Sequence, residues 1–356
     1  MAAPMESPGT AVGLPERFAD VGALEDFMTE PSPGLVADLA RVDGDIMVLG
    51  VGGKMGPTLA RMAVRASAEA GVKRRVIGVS RFTDSRGEKQ LQSWGVETLR
   101  CDLLEPDQVA KLPDAANVVA MSALKFGSSA NKALTWGMNV YVPTLICRRY
   151  AGRRIVAFST GNVYGLSDVR LGGSRETDPV NPVGEYAMST LGRERIYEYF
   201  AKAASTPTAI VRLNYACELR YGVLADVARR VFAREPIDLG MGCFNAVWQG
   251  DANAAVLRSF HELCAPEPTV YNLAGPETLS VRRVAEYFAG RFQVAVEFTG
   301  AESSDALLSN GQWAHRYFGY PKVPIGEVMR WVADWILAGG RSLDKPTHFE
   351  ARDGAY

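Results

Sequence analysis

The sequence predicts an α/β protein built on a doubly wound parallel sheet, with a smaller lobe toward its C-terminal end. Two observations carry this. Six short apolar runs recur between Ile46 and Leu213, most with room for a helix between neighbours, and a glycine-rich turn joins the first run to the first helix. Strands alternating with helices run parallel, because each crossover returns the chain to the same end of the sheet.

In chain order, residues 1–43 read as a leader ahead of the core. Pro4, Pro8, Pro15, Pro31 and Pro33 punctuate it, and short helices are expected around 21–29 and 34–41. Residues 44–213 form the regular part. The run at 46–50 is followed by Leu59, Met62, Ala63, Ala66 and Ala70 on one helical face, with Pro57 suited to the first turn and Gly71 to the stop. Further strands are expected at 76–79, 96–101, 117–123, 154–160 and 208–213, and the stretch 80–95 leaves the least room for a helix. From 214 to 340 the rhythm loosens. Helical patterns at 222–234, 252–264, 280–290 and 326–338 alternate with short strands such as 271–274, which reads as a mainly substrate-binding lobe, and 341–356 as a tail.

Composition excludes several classes. The 356 residues are 47% hydrophobic and 22% charged, a globular mixture rather than a disordered, collagen-like or coiled-coil one. With 39 basic and 40 acidic residues, no basic field attracts nucleic acid or an anionic membrane. No apolar stretch approaches the roughly 20 residues of a membrane span. The first ten residues lack the pattern of a secretory signal. Five scattered cysteines without a CxxC pair fit reduced thiols, so a cytoplasmic location is expected. His261, His315 and His348 are far apart, and no metal site is expected.

Gly50, Gly53 and Gly56 stand three residues apart between strand and helix, with Lys54 and Met55 in the same turn. This spacing lets the backbone approach a pyrophosphate at a helix N-terminus; the other reading is a merely tight turn. At the end of the second strand an acidic residue would hold the ribose 2′-hydroxyl of NAD. Here Ser80 and Arg81 stand there, with no carboxylate before Asp84. A small hydroxyl beside an arginine suits a 2′-phosphate, so NADP is expected, with NAD as the alternative. Asp102 and Leu103, ending the third strand, are placed to contact the adenine.

With FSTGNVYG (158–165) and EYAMSTLGRE (185–194) added to the glycine turn, the chain resembles the extended short-chain dehydrogenase/reductase family, in its epimerase and dehydratase branch. The likeness runs from about 45 to 338 and includes Asn139, GDANAA (250–255), YNLAGPETLS (271–280) and FGYPKVPIGEVM. It implies a Rossmann domain, a nicotinamide cofactor, a Ser/Thr–Tyr–Lys catalytic group, and a homodimer formed through the helices of Asn139 and Tyr186. Thr160 and Tyr186 match the group. Thr190 stands at the lysine position. A free tyrosine titrates near ~10, and bringing it to neutrality takes roughly 4 kcal/mol, which a threonine cannot supply. Lys125, directly after strand four, is the nearest replacement by fold position; its other reading is a surface or substrate-binding lysine. Arg193, seven residues beyond Tyr186, reads as structural.

Further departures narrow the expected substrate. Gly161-Asn162 replaces the acid/base pair of the 4,6-dehydratases, which makes dehydration an unexpected outcome. Phe244 and Asn245 stand where relatives carry a diphosphate-binding arginine, and residues 301–308 lack another. A sugar, polyol or related compound without a nucleotide is therefore expected. Asn162, Arg220, Trp136 and Trp248 are candidates to touch it, while Trp331 and Trp335 read as core. The expected function is an NAD(P)-dependent oxidoreductase or epimerase. Tyr186 exchanges the hydroxyl proton, Thr160 holds the same oxygen, and the nicotinamide exchanges hydride with the carbon. The alternative is an NADP-binding redox sensor or scaffold with little catalysis.

Overall fold

The computed structural model describes residues 13–355, so Pro4, Pro8 and the segment read for a secretory signal lie outside the described residues. Seven strands form the central sheet: β1 Ile46–Leu49, β2 Val76–Ser80, β3 Glu97–Arg100, β4 Asn117–Ala120, β5 Arg154–Thr160, β6 Thr208–Leu213 and β7 Thr269–Leu273. All are parallel, in the order β7-β6-β5-β4-β1-β2-β3. The order reverses between β1 and β4, which opens a crevice beyond their C-terminal ends.

Among the described residues the thirteen α-helices are α1 Val21–Met28, α2 Pro33–Ala40, α3 Gly56–Glu69, α4 Ser85–Ser93, α5 Pro106–Ala110, α6 Lys132–Trp136 and α7 Val142–Arg149. They continue with α8 Gly184–Ala203, α9 Val223–Phe232, α10 Gln249–Glu262, α11 Val281–Phe292, α12 Gln312–Phe318 and α13 Ile325–Leu337. The apolar runs are buried on both sides because helices cover both faces. Ile46 and Val48 face a core made with α2, α3 and α10; Met47 and Leu49 face the opposite one, made with α7 and α8. This alternation is the two-residue period of a strand. A third core holds the C-terminal lobe, where α9, α11 and α13 pack around Phe244, Trp248 and Trp331.

Four expectations are corrected. Helices do form in 21–40, capped by Asp20 and Ser32, but Leu24, Met28, Leu35 and Leu39 are fully buried, so this segment is part of the core and not a leader to it. The strand at 269–273 is the edge of the main sheet, paired with β6 from Thr269–Ala209 to Leu273–Leu213. Ala252, Val256 and Phe260, also beyond residue 213, pack in the core on that sheet. Residues 80–95 do hold a helix, α4, capped by Asp84. Finally, 341–355 is a strap. Phe349 is buried, and the Thr347 amide and hydroxyl both donate to Asp226 Oδ2, at 2.8 and 2.6 Å. All five cysteines carry free thiols, and no helix of the described residues is long and apolar enough to cross a membrane.

Candidate active site

The glycine turn is closed by its own backbone. Gly50 N donates to Val79 O at 2.9 Å and Gly53 N to Gly50 O at 3.0 Å. Gly50 has φ +90°, and a Cβ there would meet Ser122 N at 2.8 Å. A Cβ on Gly56 would lie 2.2 Å from Val51 O, so only glycine lets α3 start this close to β1. The start of α3 carries no side-chain cap, which leaves its N–H groups to an anion such as a pyrophosphate. Ser80 lies beside the turn, 2.7 Å from where a Cβ on Gly52 would stand. Arg81 is exposed, with Nη1 4.0 Å from Asp102 Oδ2, and Leu103 is buried next to it.

From the turn a cleft of about 680 Å³ runs across the ends of β4, β5 and β6. Gly53, Lys54, Met55, Lys125, Thr160, Asn162, Tyr186 and Arg193 all line it, so the glycine turn and the expected catalytic residues share one space. Thr160, ending β5, donates to Asn162 Oδ1 at 2.8 Å and accepts from Asn162 N at 3.2 Å, and it lines the cleft with Tyr186. Burial raises the Tyr186 pKa; the Arg193 guanidinium and the Thr160 and Thr190 hydroxyls pull it down. Thr190 is fully buried beside this phenol, yet its hydroxyl makes no well-formed hydrogen bond among the described residues. An orphaned hydroxyl here, with the open helix start, fits a nicotinamide ribose with its diphosphate.

Buried networks hold these groups in place. Asn139 lies on a π-helical turn, Gly137–Tyr141, between α6 and α7. Its Oδ1 accepts from Leu124 N at 3.0 Å and Arg193 Nη2 at 2.5 Å, and its Nδ2 donates to Ser189 Oγ at 2.9 Å. Arg193 Nη1 also donates to Phe158 O at 3.0 Å. One residue on, Glu194 takes Arg212 in a two-pronged pair at 2.9 and 2.7 Å and accepts from Ser159 Oγ at 2.5 Å. Arg212 Nη1 donates to the Tyr164 hydroxyl at 2.7 Å, which donates to Asn272 Oδ1 at 2.8 Å, so Tyr164 ties β5, β6 and β7 to α8.

The cleft is cationic. Lys54 Nζ stands 3.5 Å from the Tyr221 ring centre and 4.3 Å from that of Phe126. Burial, then Lys125 and Lys345, lower its pKa to about 7. Lys125 Nζ is 5.7 Å from the Tyr186 ring centre, and burial lowers its pKa to about 8.

Three expected contacts are not in the cleft. Arg220 is buried in ion pairs with Glu218 and Glu25, at 3.1 and 2.8 Å. Trp248 is 2% exposed and packs on Phe27 and Trp331 in the lobe core, with centroids 6.2 and 5.6 Å away. Trp136 points outward and donates to Glu185 Oε2 at 2.8 Å. Each buried side chain has a partner remote in sequence, Glu25 for Arg220 and Phe27 and Trp331 for Trp248, which a local motif does not reveal. Conversely, the strap residues Asp344–His348 line the cleft unannounced by any periodicity. Asp38, His261 and Glu262 bring donor atoms within 4.8 Å of one another, but Arg258 already holds the Asp38 carboxylate at 2.5 Å.

A sequence profile of the NAD-dependent epimerase/dehydratase family matches residues 46–234. No curated protein matches the chain. Among solved structures, the UDP-glucose 4-epimerase of Thermotoga maritima, bound to UDP-glucose, superposes with TM-score 0.69 at 17% identity over 83% of this chain and 99% of that one. The UDP-glucuronic acid 4-epimerase of Bacillus cereus, with UDP-glucuronic acid and NAD, gives the same four figures. A dTDP-glucose 4,6-dehydratase of Streptomyces venezuelae, with NAD, gives TM-score 0.69 at 18% identity over 82% and 96%. At these identities the likeness is one of fold. The profile is the stronger finding, because it spans over half the chain, from the glycine turn through the Tyr186 helix. The chain belongs to the NAD-dependent epimerase/dehydratase family, of the extended short-chain dehydrogenase/reductase type.

Proposed function

We propose that the protein is an NADP-dependent oxidoreductase or epimerase acting at a hydroxyl-bearing carbon of a sugar, polyol or related compound that carries no nucleotide. The observation that carries this is that Tyr186 and Thr160 together line the cleft that begins at the glycine turn. The nicotinamide, when bound, accepts or returns hydride. Tyr186 moves the proton of the substrate oxygen. Its buried phenol is protonated at neutral pH, which suits donation to a carbonyl oxygen, and the Arg193 charge eases the reverse transfer. Thr160 turns its proton from Asn162 to that same oxygen. A ketone that rotates before hydride returns gives epimerisation; one that leaves gives net redox.

Two features speak against a dehydratase and a nucleotide sugar. Gly161 offers no acidic group, and a Cβ there would lie 2.6 Å from Ser309 Oγ, so a side chain at this position would have to displace that hydroxyl. Where an arginine would clamp a diphosphate, Phe244 is fully buried and Asn245 Nδ2 is committed to Ser309 O at 2.6 Å. Ser80 and exposed Arg81 favour the 2′-phosphate of NADP over a bare ribose.

The test is titration of both cofactors, then a screen of sugars and polyols for reduction of the bound nicotinamide. NADP should bind about tenfold tighter than NAD, and Arg81→Ala should erase that margin. Tyr186→Phe should keep cofactor affinity and lower turnover by about a hundredfold or more. Cofactor binding with no turnover on the whole panel, in either protein, would make it a redox sensor or scaffold instead.

A further inference from the structure

We propose that the C-terminal strap is the specificity-determining wall of the cleft: its inner segment, held in place through Thr347 and Arg352, keeps out a nucleotide sugar and admits a monosaccharide or polyol. This rests on the reading of the substrate as one without a nucleotide, and it names the segment that enforces that choice. Asp344–His348 line the cleft together with Tyr186 and Thr160. The segment crosses from the lobe to the loop after β4. On the lobe side, Thr347 N and Oγ donate to Asp226 Oδ2 on α9, at 2.8 and 2.6 Å. On the far side, the His348 ring lies 5.9 Å from the Phe126 ring, on which Lys54 Nζ of the glycine turn stands at 4.3 Å.

Asp344 and His348 have φ +50° and +52°, so the chain bends at both ends of Lys345–Thr347. Left-handed residues other than glycine cost energy, and they persist where the surroundings hold them. Leu343 N donates to Arg220 O at 3.2 Å ahead of the bend, and Phe349 is buried beyond it. The Phe349 ring is 6.2 Å from that of Phe244, which stands where an arginine would clamp a diphosphate. Arg352 Nη2 donates to Asp305 Oδ1 at 2.6 Å, and its Nη1 to Gly240 O at 2.9 Å. Asp305 lies in 301–308, the other segment where a clamping arginine is replaced. The strap is thus docked on both places that a diphosphate would need, with its inner segment on the cleft. A nucleotide sugar binds only when the strap lifts, so its apparent affinity is reduced by the fraction of chains in which the strap is lifted.

The test titrates UDP-glucose calorimetrically into the full chain saturated with NADP, so that the cofactor's own nucleotide site is filled. The variant is Thr347→Val with Arg352→Met, which removes the hydrogen bonds of both anchors and leaves Phe349 in place. The parent should show no saturable binding below about 10 mM, and the variant should bind at least about tenfold more tightly, because each lost anchor raises the lifted fraction. Amide hydrogen exchange over residues 343–350 should quicken by about tenfold or more, with NADP affinity unchanged. Arg352→Met alone should move both readouts the same way by a smaller factor, and it serves where the double variant does not fold. A strap that exchanges faster while UDP-glucose still does not bind overturns the wall, and leaves the reading of a substrate without a nucleotide standing. Unchanged exchange also overturns it, because these anchors then do not hold the strap. So does a loss of NADP affinity, which would assign the strap to the cofactor. Saturable binding of UDP-glucose to the parent defeats the wall and that reading together. None of these readouts needs turnover, so a failure of the catalytic reading is told apart from a failure of this one.

Discussion

Thr190 stands where the family motif has lysine, and the cation acting on Tyr186 sits one turn further along the same helix, at Arg193. Seven residues are almost two full turns, so Tyr186 and Arg193 share a face of α8. Side chains on a helix lean toward its N-terminus, and a long guanidinium reaches back where a count of residues places it out of range. The sequence shows the vacancy at 190 and the partners Thr160 and Tyr186, because these lie in contiguous motifs. It hides the reach of Arg193 and the fate of Arg220, whose partner Glu25 is 195 residues away. Removing the Arg193 charge should push the Tyr186 phenol upward by about one pH unit or more, since a positive neighbour stabilises the phenolate. Phenolate absorbance of the NADP complex, with Tyr186→Phe subtracted, measures this for Arg193→Met. Arg193→Lys should restore most of the shift. A lower melting temperature with an unmoved titration in Arg193→Met would reduce Arg193 to packing.

At the scale of elements, the strands at 154–160 and 208–213 coincide with their apolar runs, because buried parallel strands read as continuous Val, Ile and Ala. The strand at 269–273 is equally apolar at its end, but nothing local says that it returns to the sheet after fifty residues of lobe. Its neighbour is fixed only by the register with β6. The glycine turn was legible for a different reason, since three glycines at fixed spacing are a steric requirement. They are not equivalent. Gly50 and Gly56 are hemmed in by backbone, whereas a Cβ on Gly53 would meet only Gly50 O, at 3.3 Å. Gly53→Val should therefore fold with a melting temperature close to that of the parent, and bind NADP at least about tenfold more weakly as its side chain fills the pyrophosphate's place. Circular dichroism and cofactor titration separate the two effects; unchanged affinity would leave the turn with no role beyond its shape.

At the scale of the whole molecule, parts that look peripheral in the sequence close the structure. α1 inserts Leu24 and Met28 into the lobe core, and the strap passes under the start of α8, where a Cβ on Gly184 would lie 2.3 Å from Gly354 O. No periodicity marks either, since their burial depends on surfaces assembled from distant segments. The surface left on the other side of α8 carries exposed apolar side chains beside an exposed Arg195–Glu198 ion pair. Met188 and Tyr199 are 48% and 64% exposed, and eleven residues, three turns, separate them, so they share one stripe. Leu134 and Tyr141, on α6 and the π-helical turn beside it, are 39% and 45% exposed. Exposed apolar side chains aligned on two neighbouring helical segments mark an association surface. These are the helices through which the resemblance implies a homodimer, and a two-fold axis across α8 would set each stripe against its copy. The chain should therefore sediment as a dimer at micromolar concentration. Met188→Glu with Tyr199→Glu, which sets like charges against each other across that axis, should yield a folded monomer that still binds NADP, because neither side chain lines the cleft. A parent chain that sediments as a monomer, or a double variant that stays dimeric, would move the association surface elsewhere.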